Sequence, residues 1–374
     1  MRSAAGEAEL AGSPWRAVEG GRFTTSASDR TLQYRAVFHS DNGDRYPVLE
    51  RVEVALTETT AAAARPPELV SVERVWDRGE HNAFTDLIRF RERWFCAFRE
   101  AEAHVGGDGR VRVLESADGR RWEASALVAE PGIDLRDPKL SIAADGRLML
   151  LAGGSVYQGK TLVGRQPRVA FSSDGRAWTA PQRILRERDW VWRVTWQDGR
   201  AYGVSYRAPS ATDSAAAADW TIDLVSSANG VDYERVARLG VPAHPNETTL
   251  RFLPDGRMVA LVRRDPGPAW IGTSRAPYRD WSWREANHRI GGPNFVVLAD
   301  GTLWASGRSY EGGAHTAVGP MTLEAWEPSL TLPSGGDTSY PGMVWHDGLL
   351  WLSYYASHEG KSAIYLARVR LPGR

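Results

Sequence analysis

"SADGRRW", residues 116–122, returns as "SSDGRAW" at residues 172–178 and, loosened, as "SANGVDY" at residues 227–233. The serines that open these stretches stand 56 and 55 residues apart, so the chain repeats at a fixed period. Asp-Gly keeps a similar period. It recurs at Asp145, Asp198, Asp255, Asp300 and Asp347, at intervals of 53, 57, 45 and 47 residues. Each pair lies between two β-rich runs, as in "LSIAADGRLMLL" and "TLRFLPDGRMVALV", which is the signal of a two-residue hairpin. An equivalent turn at Arg91-Glu92-Arg93 stands 53 residues before Asp145 and brings the hairpins to six. Sheet units of this size cannot bury both faces alone, and they pack radially into a propeller. The expected fold is all-β, a six-bladed β-propeller over residues 67–374. Its last blade shows three strands, and "ELVSVERVW", residues 68–76, is expected to supply the fourth and close the ring.

Residues 1–66 read differently. "TLQYRAVFHSDNGDRYPVLERVEVAL", residues 31–56, suggests two or three strands, and "TETTAAAARPP", residues 57–67, an Ala/Pro linker. So short a stretch has few core positions. It reads as a β appendage, packed on the propeller or left over from a larger β-sandwich.

Composition narrows the function classes. Formal charge is zero, from 46 basic and 46 acidic residues, so no global field favours nucleic acid or an anionic membrane. Lysine occurs only at 139, 160 and 361, which leaves arginine, with its bidentate fork for carboxylates, as the cationic residue. Cys96 stands alone and excludes an intramolecular disulfide or a multi-cysteine zinc site. No apolar leader or stretch of about 18 apolar residues is present. The chain as given is therefore expected to be a cytoplasmic monomer, or secreted or periplasmic if a leader has been trimmed. No P-loop, G-x-G-x-x-G or H-E-x-x-H occurs, and no cofactor is expected.

Propeller topology also places the site. The start of strand 1 and the end of strand 2 of every blade emerge on one face. Blade 1 offers His81, Asn82, Asp86, Arg99 and Glu100; blade 2 offers Arg136, Asp137 and Lys139; blade 3 offers Trp192, Arg193 and Arg207. Blade 4 offers Asn246, Glu247, Arg263, Arg264 and Asp265; blade 5 offers Asn294 and Arg308; blade 6 offers Asp337, Tyr340, His358 and Glu359. Arginines for a carboxylate, Asn and acids for hydroxyls and Trp for a sugar face suit an anionic oligosaccharide or glycoconjugate. The competing reading is that these charges pair with one another and seal the funnel. His81, His104 and His358 are metal candidates only if their loops meet; no fixed spacing supports them, and no metal is expected.

The Ser-x-Asp-Gly-x-x-Trp stretches resemble the Asp boxes (BNR repeats) of the sialidase superfamily, whose members are six-bladed propellers. The resemblance runs from about residue 70 to the end, and is nearest to uncharacterised bacterial sialidase-like chains. "PNETTLRFLPDGRMVALVRRD" is similar to the sialidase segment in which a Glu activates a nucleophilic Tyr and an Arg binds the substrate carboxylate. "DTSYPGMVWHDGLLWLSYY" is similar to the segment that carries that Tyr. The resemblance thus implies Tyr340 as nucleophile, Glu247 as its base, Arg263 or Arg264 as one carboxylate ligand and Arg308 as another. Asp108 and Glu100 are the general-acid candidates, with His104 a third. A Tyr suits an anionic anomeric centre because a neutral phenol avoids the repulsion that a carboxylate nucleophile would meet.

The sequence departs from the family in its first blade. Sialidases begin it with Arg-Ile-Pro, whereas here "HNAFTDLIRF" places Asn82 near the Arg position. Arg99, Arg136 or Arg193 could substitute from a neighbouring blade. "LRDPKL" and "WVWRVTW" add Arg136, Asp137, Trp192 and Arg193 to the face, which together with Asn82, Asn294 and Asp337 form the expected substrate-binding set. The function implied is a sialidase-type exo-glycosidase acting on a terminal anionic sugar. A glycan-binding propeller without catalysis and a uronate lyase on the same scaffold are the alternatives.

Overall fold

The computed structural model describes residues 1–16, 18, 25, 29–37, 66–208 and 220–373. The chain divides into two compact units, Met1–Ala62 and Ala63–Arg374. In the first, the strand Arg2–Ala4 pairs antiparallel with Thr31–Gln33, and Glu7–Leu10 forms one helical turn. The further strands expected up to residue 56, and the linker up to residue 65, lie outside the described residues.

The second unit is a ring of six four-stranded antiparallel sheets. Blade 1 runs His81–Phe90, Arg93–Ala101, Arg110–Ser116, Glu123–Val128; blade 2 runs Asp134–Ile142, Leu148–Gln158, Thr161–Ser172, Gln182–Arg183. Blade 3 is Trp190–Gln197, Arg200–Arg207, Thr221–Ser227, Glu234–Leu239, and blade 4 is Pro245–Phe252, Met258–Arg264, Trp270–Ser274, Ser282–Glu285. Blade 5 comprises Gly291–Val297, Leu303–Ser309, His315–Met321 and Leu330–Thr331. Blade 6 takes Thr338–His346, Leu349–Ala356 and Ala363–Arg370, and Glu68–Trp76 adds its outer strand antiparallel to Ala363–Arg370. That closing strand is fixed by side chains as well. Arg368 reaches Glu73 at 2.7 Å and Arg370 reaches Glu68 at 2.6 Å.

Two-sided strands need two-sided burial, and the ring supplies it. The core is not one mass but six clusters, each lying largely between successive sheets. The seam between blades 6 and 1, for example, packs Trp351 against Trp94 with ring centroids 4.5 Å apart. Deleting one such large buried side chain costs about 3–5 kcal/mol, because the neighbouring sheet cannot collapse into the void.

The hairpins split into two kinds. Arg91-Glu92, Asp198-Gly199 and Asp347-Gly348 are two-residue turns with both residues at positive φ. Those at Asp145, Asp255 and Asp300 are longer than the Asp-Gly signal suggests. Ala143 and Arg147, Leu253 and Arg257, and Leu298 and Thr302 close them, with only the glycine at positive φ. The physical reason is the aspartate's side chain, which accepts the backbone N–H two residues on and favours an ordinary turn before the glycine.

Candidate active site

Every blade breaks register near the start of its first strand. The pairing with strand 2 skips between Ala83 and Asp86, Arg136 and Lys139, Val191 and Val194, Pro245 and Thr248, Gly291 and Asn294, and Ser339 and Gly342. A bulge of this kind frees two residues from the ladder and re-aims a side chain. The six pairs so released are Phe84-Thr85, Asp137-Pro138, Trp192-Arg193, Asn246-Glu247, Gly292-Pro293 and Tyr340-Pro341. Phe84, Asp137 and Tyr340 take positive φ, a strained conformation for residues with a side chain, and Gly292 takes it without strain.

Tyr340 gathers the others. Its ring lies 5.1 Å from that of Phe84 and 5.1 Å from that of Trp192. Gly292 sits so close that a Cβ would stand 2.7 Å from Tyr340 Cδ2, which together with its φ of +58° requires glycine there. The Tyr340 hydroxyl donates to Glu247 Oε1 at 2.8 Å, although the two residues are 93 apart in sequence. Glu247 Oε2 accepts from Arg263 at 2.7 Å and from the Gly292 N–H at 2.9 Å. Arg263 also donates to the Tyr340 oxygen at 3.1 Å. Burial, reinforced by the charge of Glu247, raises the phenol well above its ordinary pKa, so Tyr340 is neutral and its proton faces a carboxylate.

Asp337 organises the neighbouring side of the centre. Its Oδ1 accepts from Tyr355 at 2.7 Å and Arg308 at 3.2 Å, while His104 Nδ1 lies 2.7 Å from its Oδ2. Burial opposes charge on this carboxyl, but the hydrogen bonds from His104, His81 and Tyr355 hold it far below the usual carboxylate range. Arg308 stands 5.5 Å from the centroid of the Tyr340 ring. Asp137 has the opposite character. Its Oδ1 is buried without a hydrogen-bond partner, and burial raises its pKa despite the nearby Arg136 and Lys139.

No protein-family model matches the sequence, and no curated protein matches it. Solved structures do. A Dyadobacter fermentans protein of unknown function superposes with a TM-score of 0.73 at 18% identity, over 82% of this chain and 100% of its own. An α-L-arabinofuranosidase from Fusarium graminearum, solved with an iminosugar inhibitor, gives 0.62 at 13% identity, over 81% of this chain and 98% of its own. Trypanosoma rangeli sialidase with the inhibitor DANA gives 0.58 at 9%, over 78% of this chain and 55% of its own. The chain has a sialidase-type propeller fold. At these identities the likeness carries the fold and not the chemistry.

Within this sialidase-type propeller, several expected site residues are used otherwise. Glu100 accepts from Trp76 and Arg112, and Asp108 from the Gly132 N–H; both line a groove with Glu80, Glu102 and Glu130 that contains none of the bulge residues. Arg264 turns outward to Glu285 and the Trp270 ring, which leaves Arg263 as the blade 4 arginine at the centre. Arg99 is sealed by a bidentate pair with Asp134, and Arg193 by one with Asp86. These buried arginines are spent on holding blades together. Arg136 donates to Asp134 and to the His104 carbonyl, and Arg207 pairs with Asp189. Asn82 ties Gly79 to Ser362, and Asn294 ties Arg251 to the Pro341 carbonyl. Trp192 is packed at the centre, with Lys139 4.1 Å above its ring; burial and Arg193 push that lysine down to about 8. His358 packs on Tyr365, away from His81 and His104.

The centre also uses residues the sequence reading passed over. Phe84 fills blade 1's bulge and packs against the Tyr340 ring. Gly292 and Tyr355 support Tyr340 and Asp337. The one signal that could have found them is positional: each falls at the start of strand 1 or in strand 2, on the face already singled out.

Proposed function

We propose that this protein is a glycoside hydrolase of sialidase type that cleaves a terminal anionic sugar through Tyr340. The observation that carries the reading is the 2.8 Å hydrogen bond from the Tyr340 hydroxyl to Glu247, bridged by Arg263. As Tyr340 Oη bonds to the anomeric carbon, its proton passes to Glu247 Oε1, and Arg263 stabilises the charge that develops on the phenolic oxygen. The leaving-group oxygen takes a proton from Asp137, a carboxyl whose pKa burial raises and which interacts electrostatically with both Tyr340 and Glu247. Water then attacks the glycosyl-tyrosine with Asp137 as base, and the proton on Glu247 returns to the departing Tyr340. Arg263 and Arg308, which flank the Tyr340 ring, hold the sugar's carboxylate. Similarity to enzymes solved with sugar-like inhibitors supports a glycosidase scaffold.

The test is covalent trapping. A fluorinated, activated sialoside should leave an adduct on a peptide containing Tyr340. Recovery of the adduct on another residue, or equal turnover of neutral and acidic glycosides, sinks the assignment. Asp137→Asn should lose far more activity on poor leaving groups than on activated aryl ones, since only the former need protonation.

A further inference from the structure

We propose that His81, His104 and Asp337 form a binding site for a divalent cation of the zinc class at the seam between the first and last blades. His104 Nδ1 lies 2.7 Å and His81 Nε2 3.4 Å from the same carboxylate oxygen, Oδ2 of Asp337. One donor atom from each residue falls within 4.8 Å of the others, close enough for one ion with small side-chain adjustments. The two imidazoles are nearly perpendicular, at 85°, with centroids 5.3 Å apart, so they present an edge and a face rather than a stack.

The surroundings favour a cation rather than a plain hydrogen-bond cluster. Asp337's other oxygen is already occupied by Tyr355 and Arg308, which fixes the carboxylate and leaves Oδ2 to the two histidines. Outer contacts of this kind orient metal ligands. Two imidazoles and one carboxylate suit zinc, cobalt, nickel, manganese or ferrous ions; calcium and magnesium prefer all-oxygen sites. Three protein ligands also leave coordination positions open, and His104, with 48% of its side chain exposed, provides the open side.

The placement gives the site a consequence that does not depend on the hydrolase reading. His81 opens blade 1, His104 follows that blade's second strand, and Asp337 immediately precedes blade 6's first strand. An ion here pins the two blades that close the ring. It binds the folded ring and not the open chain, and so raises the melting temperature.

The experiment uses the full chain, stripped with a chelator and titrated with Zn²⁺ and, as a spectroscopic probe, Co²⁺. Elemental analysis should find one ion per chain, Co²⁺ should give visible d–d absorption, and zinc should raise Tm. His104→Ala, at a half-exposed position, and His81→Gln should each weaken binding by at least about tenfold, on the scale of disturbing a metal ligand or its support. His358→Ala should leave binding unchanged. Absence of stoichiometric binding to the folded wild-type chain overturns the site, as does undiminished binding by the His81→Gln/His104→Ala double variant. The wild-type titration needs no variant to fold, and neither result bears on Tyr340 trapping.

Discussion

The turns that repeat along the chain and the bulges that meet at its axis are built in opposite ways. In the turn at 116–122, Asp118 accepts the N–H groups of Arg120 and Arg121, and the Gly119 N–H reaches Ser116. Asp174 and Ser172 make the same bonds, and so do Asn229 and Ser227. Three sequences give one local structure, with every partner inside seven residues. The six bulges share one break in register but carry six different residue pairs, and the bonds of Tyr340, Gly292 and Arg193 cross blades. Repetition therefore marks where the fold is held, and divergence on a repeated backbone marks where chemistry can be placed.

Breaking the ring should abolish the collective part altogether. Deletion of residues 1–80 removes Glu68–Trp76, unpairs Ala363–Arg370 and takes Trp76 out of the seam between blades 6 and 1. The product is expected to lose its cooperative melt and its near-ultraviolet dichroism, while deletion of residues 1–66 keeps both. A folded protein from the longer deletion would show that the closing strand is dispensable.

Next in size is the loss of chemistry without loss of fold. Tyr340→Phe removes one oxygen and keeps the ring against Phe84, Trp192 and Gly292. Turnover of an acidic glycoside should fall by about three orders of magnitude, or about 4 kcal/mol of transition-state stabilisation, with Tm nearly unchanged. Glu247→Gln should cost a similar factor, and the double variant little more than either alone, because nucleophile and base act as a unit. Additive losses would mean that the hydrogen bond between them is structural.

How far the sequence reached follows from the same contrast. Six hairpins, blade spacing and the closing strand were legible because their signals are local and periodic. Topology alone also put Tyr340 and Glu247 on one face. The bulges were not legible, since register belongs to a pair of strands and neither strand records it. Nor were the fates of Arg99, Arg193 and Arg264, whose partners Asp134, Asp86 and Glu285 come from other strands. A charged residue at a strand end looks the same in sequence whether it faces a ligand or seals a seam. Phe84 shows the complementary blind spot, a purely apolar residue at a strand start, where nothing in its side chain signals a place in the centre.

The smallest effect sharpens the comparison from the side of the turns. Hydrogen bonds from the Arg121 and Arg120 N–H groups lower the Asp118 carboxyl to about 2, and those from Ala177 and Arg176 lower Asp174 in the same way. A carboxyl depressed in the folded state adds stability above its unfolded pKa of about 3.9 and loses it as pH falls through the folded value. Both groups are exposed, so solvent screens the effect and it amounts to a few degrees of Tm at most, on the scale of a surface contribution in a chain of this size. Asn229 already does the same work with an uncharged oxygen. The double variant Asp118→Asn/Asp174→Asn should therefore melt within about a degree of wild type at pH 7, on that same scale. Below about pH 4 the wild type should decline more steeply than the variant, because only its turns still titrate. Turnover at neutral pH should not change. Parallel Tm curves down to about pH 2 would show that the aspartates contribute through shape alone, and a change in turnover would show that the turns are coupled to the axis after all.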